Sequence, residues 1–176
     1  MKQVLLIATG GTIACRETEN GLSPTLTGAQ LLELMPELGQ VCAVEVCDLM
    51  HLDSTDLTAA DRMRIARTVW DSRAQYDGFV IAHGTDTLSY TAALLHHVLP
   101  GCDRPAVLTG SMFPMGAPGS DAPRNLLDAF RVAAAGCSGV FAVLHGKIMR
   151  GSHVCKYHSS EADAFLSAGA PLAGTV

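Results

Sequence analysis

The stretch QVLLIATGGT, residues 3–12, decides the fold class that this sequence predicts. Its consecutive apolar residues, Val4–Ala8, stop at a glycine turn. A strand that is apolar at every position belongs to a sheet covered on both faces, as parallel sheets are. We therefore predict a buried strand over Gln3–Ala8. The same run is about a quarter as long as a membrane span and too short for the core of a signal peptide, so we expect no membrane association.

Short apolar runs alternate with longer helical patterns along the rest of the chain, and this alternation predicts an α/β fold. Thr27 and Thr58 are the predicted N-caps of the first two helices, and Asp61 occupies a capping-box position. The other predicted strands are Val41–Cys47, Phe79–Ala82, Ala106–Leu108 and Val140–Leu144, and the predicted helices are Ala29–Met35, Thr58–Arg73, Asp86–Val98 and Ala122–Ala135. The last thirty residues give no clear pattern. We expect a mostly parallel, doubly wound sheet with helices on both faces, in a single domain over residues 1–176.

The composition excludes several classes of protein. A net charge of −5 without a basic run argues against nucleic-acid binding. A hydrophobic fraction of 48% beside 16% charged residues excludes disorder. The six cysteines form no C-x-x-C pair, which favours a reducing cytoplasm over a disulfide-rich secreted protein.

Three predicted strands end in small or polar turns: TGGT at 9–12, HGTDT at 83–87 and TGS at 109–111. Ligands of open α/β sheets bind outside the carboxyl ends of the strands, so we expect the chemistry in these turns. The first turn matches neither a dinucleotide fingerprint nor a P-loop. It places the hydroxyl of Thr12 after two glycines, whose amides are accessible to an oxyanion. A purely structural glycine turn is the alternative.

The second turn places a hydroxyl and a carboxylate, Thr85 and Asp86, at the start of a helix. Either residue is also a good N-cap. A threonine hydroxyl is a weak nucleophile unless a base or a polarising partner assists it, and a desolvated lysine held by a carboxylate is such a partner. The chain has three lysines, of which Lys147 and Lys156 are candidates for this role. Both are otherwise ordinary surface charges.

Several segments, in this order, resemble the signature segments of bacterial-type L-asparaginases: ATGGTIA (8–14), LDSTD (52–56), VIAHGTDT (80–87) and LTGSM (108–112). Weaker similarity continues from DAPRNL (121–126) to the end, so the resemblance covers essentially the whole chain. It implies hydrolysis of the side-chain amide of L-asparagine to L-aspartate and ammonia, without a metal or cofactor. It also implies a homo-oligomer.

The resemblance further implies a role for each matched residue. Thr12 corresponds to the nucleophile that forms an acyl-enzyme, and Thr85, Asp86 and Lys156 to the triad that supports it. Lys156 is preferred to Lys147 because RGSHVCK, residues 150–156, resembles the family segment that carries the lysine.

The substrate-binding positions implied by the family are Gly11, Ser54, Thr55, Gly84 and Ser111. The pair Ser54 and Thr55 corresponds to the residues that hold the α-carboxylate and α-ammonium groups, and Asp86 shares the ammonium. Ser111 lies where the family places a backbone carbonyl near the leaving amide.

Two departures from the family pattern bear on these expectations. Leu22 stands where the family lid carries a tyrosine, although Cys15–Thr27 still has the composition of a mobile lid with Gly21 and Gly28 as candidate hinges. The chain also resembles the short forms that consist of the N-terminal domain alone. Typical members have a second domain that supplies an acidic residue to a neighbouring site, so we expect weaker binding of the α-ammonium and a raised KM.

Three alternatives stay open at this point. One is a glutaminase or another amidase on the same scaffold, because one methylene changes discrimination by only about 1–3 kcal/mol. The second is a module that binds an amino acid without catalysis. The third is a fragment of a longer protein.

Overall fold

The computed structural model describes residues 1–18 and 21–176. Its first strand, β1 (Gln3–Gly10), lies inside the molecule because every residue after Gln3 is buried. The other strands are β2 (Cys15–Thr18), β3 (Gly21–Pro24), β4 (Ala43–Leu52), β5 (Gly78–Ala82), β6 (Pro105–Thr109), β7 (Gly139–Leu144), β8 (Lys147–Arg150), β9 (Val154–Lys156), β10 (Phe165–Ser167) and β11 (Gly174–Thr175). The α-helices are α1 (Gly28–Glu33), α2 (Ala59–Ser72), α3 (Leu88–Val98) and α4 (Ala122–Ala134). Short 3-10 helices cover Thr12–Ala14, Pro36–Gln40, Ser54–Asp56 and Gly151–His153.

The main sheet has the strand order β11-β8-β7-β6-β5-β1-β4. Strands β7, β6, β5, β1 and β4 are parallel, and β8 and β11 add an antiparallel edge. The side chains of β1 alternate between two apolar clusters. Leu5 and Ile7 pack with α2 and α3 on one face, and Val4 and Leu6 pack with α1 and α4 on the other. The predicted fold class, a mostly parallel sheet with helices on both faces, is confirmed.

The order of the parallel strands creates a switch point between β1 and β5. The chain passes from β1 to β4 on one side and then returns to β5 on the other. A ligand of such a sheet binds in the crevice at the carboxyl ends of the two strands where the order reverses. The turns that follow β1 and β5 therefore lie at the expected binding position.

The connection through α4 has the opposite hand to the other three parallel connections. Strands β5, β6 and β7 follow one another in the same direction across the sheet, yet α3 and α4 pack on opposite faces. Since about 98% of such crossovers are right-handed, α4 forms the exceptional one. The crossover brings the first turn of α4 to the loop after β6.

Both predicted N-caps are confirmed. Thr27 forms a capping box with Gln30, and Thr58 forms one with Asp61. Two predicted boundaries were wrong: the second parallel strand spans Ala43–Leu52, and α3 begins at Leu88 with Thr87 at its N-cap. No helix in the described ranges is long and apolar enough to cross a membrane.

Candidate functional site

Four loops meet at the carboxyl edge of the sheet because glycines remove the side chains that would keep them apart. A Cβ atom on Gly11, whose φ is +75°, would lie 2.3 Å from the Cα atom of Gly84. A Cβ atom on Gly84 would lie 2.7 Å from the Cβ atom of Ser54, and one on Gly110 would lie 2.4 Å from the carbonyl oxygen of His83. Each contact is shorter than a side chain tolerates. The loops after β1, β5 and β6 therefore touch through their backbones, and the loop after β4 touches them through the side chain of Ser54.

The ammonium group of Lys156 joins the two polar residues of the turn after β5. Its Nζ donates to Thr85 Oγ1 at 2.9 Å and to Asp86 Oδ1 at 2.6 Å. Thr85 is buried, the Lys156 side chain is 16% exposed and the Asp86 side chain is 59% exposed. The cluster therefore extends from the interior to the surface, and its hydroxyl lies at the inner end.

The other candidate lysine lies in a different environment. Lys147 Nζ donates to the carboxylate of Asp163 and, at 3.2 Å, to the carbonyl oxygen of Phe165. These contacts connect β8 with the loop that leads into β10. The structure thus brings Lys156, rather than Lys147, to the Thr-Asp turn.

Thr12 begins the 3-10 helix that follows the contact between Gly11 and Gly84. It is half-buried, and its hydroxyl makes no hydrogen bond within the described part of the chain. Gly11 and Gly84 are in contact, and Thr12 and Thr85 are the residues that directly follow these two glycines in the chain. The structure therefore brings Thr12 and Thr85 close together at the carboxyl edge of the sheet.

The backbone amides of the two glycine turns differ in their availability. The amide of Gly11 donates to the carbonyl oxygen of Leu52 at 3.0 Å, so it is not free to bind an oxyanion. The buried amides of Gly84 and Thr85 make no hydrogen bond with the residues described here. Buried amides are nearly always paired, so these two unpaired amides are candidate donors to a ligand in the crevice.

The loop after β4 is attached to the same turn. Thr87 donates from its amide to Ser54 Oγ at 3.3 Å and from its hydroxyl to the carbonyl oxygen of Ser54 at 2.7 Å. Asp53 accepts from the amide and the hydroxyl of Thr55, each at 2.8 Å. Ser54 is buried and Thr55 is exposed, so the pair presents one polar group at the floor and one at the rim of the crevice.

The loop after β6 is held by two residues that the sequence analysis did not assign to the site: Asp121, the N-cap of α4, and Asn125 in its first turns. Asp121 accepts from the amides of Met112 and Phe113 at 3.0–3.1 Å, and Asn125 Nδ2 donates to the carbonyl oxygen of Gly110 at 3.0 Å. Ser111 Oγ is buried and donates to the carbonyl oxygen of Phe113 at 2.6 Å. The hydroxyl of Ser111 thus stabilises the conformation of this loop. The contacts of Asp121 and Asn125 with the loop had no recognisable pattern in the sequence.

His83 is a further residue that the sequence analysis did not assign to the site. The imidazole is fully buried, with Nδ1 2.7 Å from the carbonyl oxygen of Gly84 and Nε2 2.9 Å from Thr91 Oγ1. Burial lowers the pKa of His83 from 6.5 to about 4; Arg62 adds to this effect, while the bond to Gly84 opposes it. The ring is therefore neutral at physiological pH.

The segment predicted as a lid forms the hairpin of β2 and β3. The side chain of Leu22 and the whole of residues 19 and 20 lie outside the described residues. Gly21 has a φ of +97°, which favours glycine. Gly28 is buried, donates to Asp48 Oδ1 at 2.7 Å and has no room for a Cβ atom beside Val46, so it is an anchor of α1 and the prediction of a hinge there was wrong.

The cavity nearest to the lysine cluster is open to solvent and has a volume of about 360 Å³. Asp86, Lys156, Tyr157, His158 and Ser159 line it. Within residues 1–18 and 21–176, no group of three or more His, Cys, Asp or Glu side chains is arranged to hold a metal ion.

Fold and site together define an α/β protein with a hydroxyl, carboxylate and amine cluster at the switch point of a doubly wound sheet. The family model "Asparaginase, N-terminal" matches residues 3–176. The chain therefore belongs to the asparaginase family.

Relatives of this chain carry two kinds of name. It is 41% identical over 170 residues to an L-asparaginase of Thermococcus kodakarensis, covering 96% of this chain and 52% of that protein. It is 37% identical to one component of the glutamyl-tRNA(Gln) amidotransferase of Pyrococcus abyssi, covering 95% and 40% respectively. The chain thus spans about half the length, or less, of these relatives.

Solved structures agree with this membership. The thermostable L-asparaginase from Thermococcus kodakarensis superposes with a TM-score of 0.89 at 40% identity, over 99% of this chain and 53% of that one. A protein named "Probable Cytoplasmic L-asparaginase" from Campylobacter jejuni superposes with a TM-score of 0.86 at 30% identity, over 95% and 52%.

Proposed function

We propose that this chain carries the catalytic centre of an amidohydrolase that converts L-asparagine and water to L-aspartate and ammonia. The observation that carries the proposal is the contact of Lys156 Nζ with Thr85 and Asp86, residues that are 71 and 70 positions away in sequence, beside the turn that bears Thr12. An acyl-transfer site needs a nucleophile, a proton-transfer group and oxyanion donors, and this crevice offers all three. The names of the relatives supply the substrate class.

In the first step, Thr12 Oγ attacks the side-chain amide carbon of asparagine. The Oγ–C bond forms, the C–N bond breaks, and the amide nitrogen leaves as ammonia with one added proton, which the hydroxyl of Thr12 supplies through Thr85. The amides of Gly84 and Thr85, which make no hydrogen bond with the described residues, can donate to the oxyanion. Because Lys156 donates to Thr85 Oγ1, the hydroxyl hydrogen of Thr85 is free to pass to the leaving nitrogen, and the proton of Thr12 replaces it on Thr85 Oγ1.

In the second step, water attacks the acyl ester on Thr12. One proton of the water returns to Thr12 Oγ and its hydroxyl remains on the carbonyl carbon, so L-aspartate is released and the nucleophile is restored. Thr85 and Lys156 again mediate the proton transfer. Asp86 keeps the charge of Lys156 balanced during both steps.

The two charges of the substrate are matched by groups at the rim of the crevice. The exposed carboxylate of Asp86 is the acceptor for the α-ammonium, and the hydroxyl of Ser54 is a donor for the α-carboxylate. The hydroxyl of Thr55 donates to Asp53 in this structure, so it turns from Asp53 to the substrate when it joins Ser54 in binding the α-carboxylate. Burying either charge without a partner is unfavourable, which favours a zwitterionic amino acid over a simple amide. Gly11 and Ser111 shape the walls of this pocket.

A second candidate function is hydrolysis of a larger amide substrate on the same centre. The observation that favours it is the identity of 37% to the glutamyl-tRNA(Gln) amidotransferase component of Pyrococcus abyssi. We further propose a cytoplasmic homo-oligomer, by analogy with the name of the Campylobacter jejuni relative and with the family.

The decisive experiment measures ammonia release from L-asparagine, L-glutamine and succinamate by the purified chain. The parent is compared with Thr12→Ala, and with Thr68→Ala as a matched control, because the hydroxyl of Thr68 donates to the carbonyl oxygen of Arg64 within α2. We expect release from L-asparagine by the parent and the control and a loss of about 1,000-fold or more in Thr12→Ala. A folded parent that binds L-asparagine without releasing ammonia would contradict the proposal and support a binding module.

A further inference from the structure

A continuous set of hydrogen bonds runs behind the candidate site and joins two of its loops. His83 Nδ1 lies 2.7 Å from the carbonyl oxygen of Gly84, and His83 Nε2 lies 2.9 Å from Thr91 Oγ1. Arg62 Nε donates to Thr91 Oγ1 at 3.1 Å, and Arg62 Nη1 donates to the carbonyl oxygen of Leu57 at 2.6 Å. His83 and Thr91 are both fully buried. We call these five residues the His83 relay.

The chemistry of the groups fixes the direction of every bond in the His83 relay. The carbonyl of Gly84 only accepts, so Nδ1 of His83 carries the proton. In the neutral ring Nε2 is then an acceptor, and the hydroxyl of Thr91 donates to it. The guanidinium of Arg62 only donates, so it supplies hydrogens to Thr91 Oγ1 and to the carbonyl of Leu57. The relay selects one tautomer of His83.

The relay completes the attachment of the Ser54–Leu57 segment. Thr87 already holds the start of this segment through two hydrogen bonds to Ser54. Arg62 holds its end through Leu57. Thr55, between these two anchors, is exposed at the rim of the crevice. A short segment fixed at both ends holds its central side chain in place before a ligand arrives.

We propose that Thr91 and Arg62 are positioning residues that hold the Ser54–Leu57 segment in its substrate-binding geometry, through the Nδ1–H tautomer of His83. This inference rests on the proposed function, since it assigns substrate binding to that segment. Neither residue touches the reacting atoms. Their loss therefore weakens substrate binding and leaves the chemical step on Thr12, Thr85 and Lys156 in place.

The test replaces the central hydroxyl of the relay. Thr91→Val keeps the shape of the side chain but leaves Nε2 of His83 and Nε of Arg62 without a partner, and Thr91→Ser is the matched control that keeps the hydroxyl. We expect KM for L-asparagine to rise about tenfold in Thr91→Val, with kcat within about threefold of the parent, and both constants to stay within about twofold in Thr91→Ser. Should Thr91→Val fail to fold, Arg62→Lys is the second variant, because the single nitrogen of lysine does not reproduce the two separate donors, Nε and Nη1, of the guanidinium.

A spectroscopic readout separates this role from a general loss of stability. Nitrogen NMR of the imidazole, assigned by the signal absent in His83→Asn, reports which ring nitrogen is protonated. We expect the Nδ1–H form in the parent and in Thr91→Ser, and a mixture of tautomers in Thr91→Val. The proposal would be overturned if folded Thr91→Val had the tautomer and the KM of the parent. It would also be overturned if the variant lost activity only through a lower kcat, with KM unchanged.

The same experiment distinguishes failure of the relay from failure of the proposed function. If the folded parent releases no ammonia from L-asparagine, the proposed function fails. The relay is then tested by the tautomer of His83 and by the dissociation constant for L-aspartate. An unchanged tautomer and an unchanged dissociation constant in Thr91→Val would overturn it, and a change in both would support it.

Discussion

The side chain of Lys156 connects the buried hydroxyl of Thr85 to the solvated carboxylate of Asp86. Replacing it with methionine keeps the aliphatic stem and removes both hydrogen bonds. We expect kcat for asparagine hydrolysis in Lys156→Met to fall by about 100-fold to 10,000-fold, since proton transfer contributes that much in general acid–base catalysis. Steady-state ammonia release measures the change.

Lys147→Met is the matched control for this change. Lys147 lies in the same C-terminal segment but binds Asp163 and the carbonyl of Phe165. Its replacement should leave kcat within about threefold of the parent even where the stability decreases. Equal losses of kcat in the two variants would refute a specific role of Lys156.

Gly84 allows three loops to touch at the floor of the crevice. A Cβ atom there would lie 2.7 Å from Cβ and Oγ of Ser54 and 3.2 Å from the Cα atom of Gly11. We expect Gly84→Ala to lower the free energy of unfolding by about 1–3 kcal/mol, as overpacking does, and to separate Thr12 from Thr85. Urea unfolding and ammonia release measure the two effects.

Gly39→Ala provides the comparison, because a Cβ atom on Gly39 meets nothing within 4 Å. Its free energy of unfolding should be unchanged or slightly higher. If Gly84→Ala had the same free energy of unfolding and the same rate of ammonia release as Gly39→Ala, the close contact of the loops at Gly84 would not be required.

The parallel strands and their helices were predictable because local pattern and tertiary position agree in them. Burial of β1 follows from its unbroken apolar run, and the caps of α1 and α2 follow from Thr27 and Thr58. The edge strand β4 is only partly buried, and its polar residues interrupt the apolar pattern, so the sequence did not predict how far the strand extends. The start of α3 was misplaced because Asp86 pairs with Lys156, a contact between distant segments.

The C-terminal strands were not predicted because contacts between distant segments, rather than a local sequence pattern, determine them. Strands β9 and β10 are three residues each, and they are stabilised by pairing with one another across a loop. Lys156 lies on β9, so its position beside Thr85 was available only from the family resemblance. The relay through Arg62 and Thr91 likewise depends on the packing of α2 against α3, which periodicity does not specify.

The buried imidazole that links β5 to α3 predicts a dependence of stability on acid. Burial holds the pKa of His83 at about 4, below its value of 6.5 in a solvated chain. Between these values the unfolded chain binds a proton that the folded chain excludes. The free energy of unfolding should therefore fall as the pH decreases from 6.5 towards 4, by about 3 kcal/mol from this group, and then level off.

Urea unfolding of the parent and of His83→Asn between pH 7 and pH 4 isolates this contribution. Burial also lowers the pKa of His96, which adds a slope of the same sign to both proteins. The difference in slope should thus correspond to about one proton taken up on unfolding of the parent. Parallel curves for the two proteins would show that His83 is not kept neutral by the fold.

At the scale of the molecule, the seven-stranded sheet lies between two apolar clusters, and the crevice lies at its carboxyl edge. A ligand that bridges the loops there stabilises the folded state as a unit. L-Aspartate, the product of the proposed reaction, offers both charges without being consumed. At a concentration of a hundred times its dissociation constant it should stabilise the fold by about 2.7 kcal/mol and raise Tm by about 5–10 °C.

Succinate lacks the α-ammonium group and is the matched ligand for this titration. Asp86→Ala is the matched variant, because it removes the carboxylate and leaves Thr85 as the hydrogen-bond partner of Lys156. Lys156 is only 16% exposed, so we expect the Tm of this variant without ligand to be lower than that of the parent, and its response to L-aspartate to be lost. If succinate raised Tm as much as L-aspartate, or if Asp86→Ala kept the full response, the ammonium would bind elsewhere and the carboxylate of Asp86 would serve Lys156 alone.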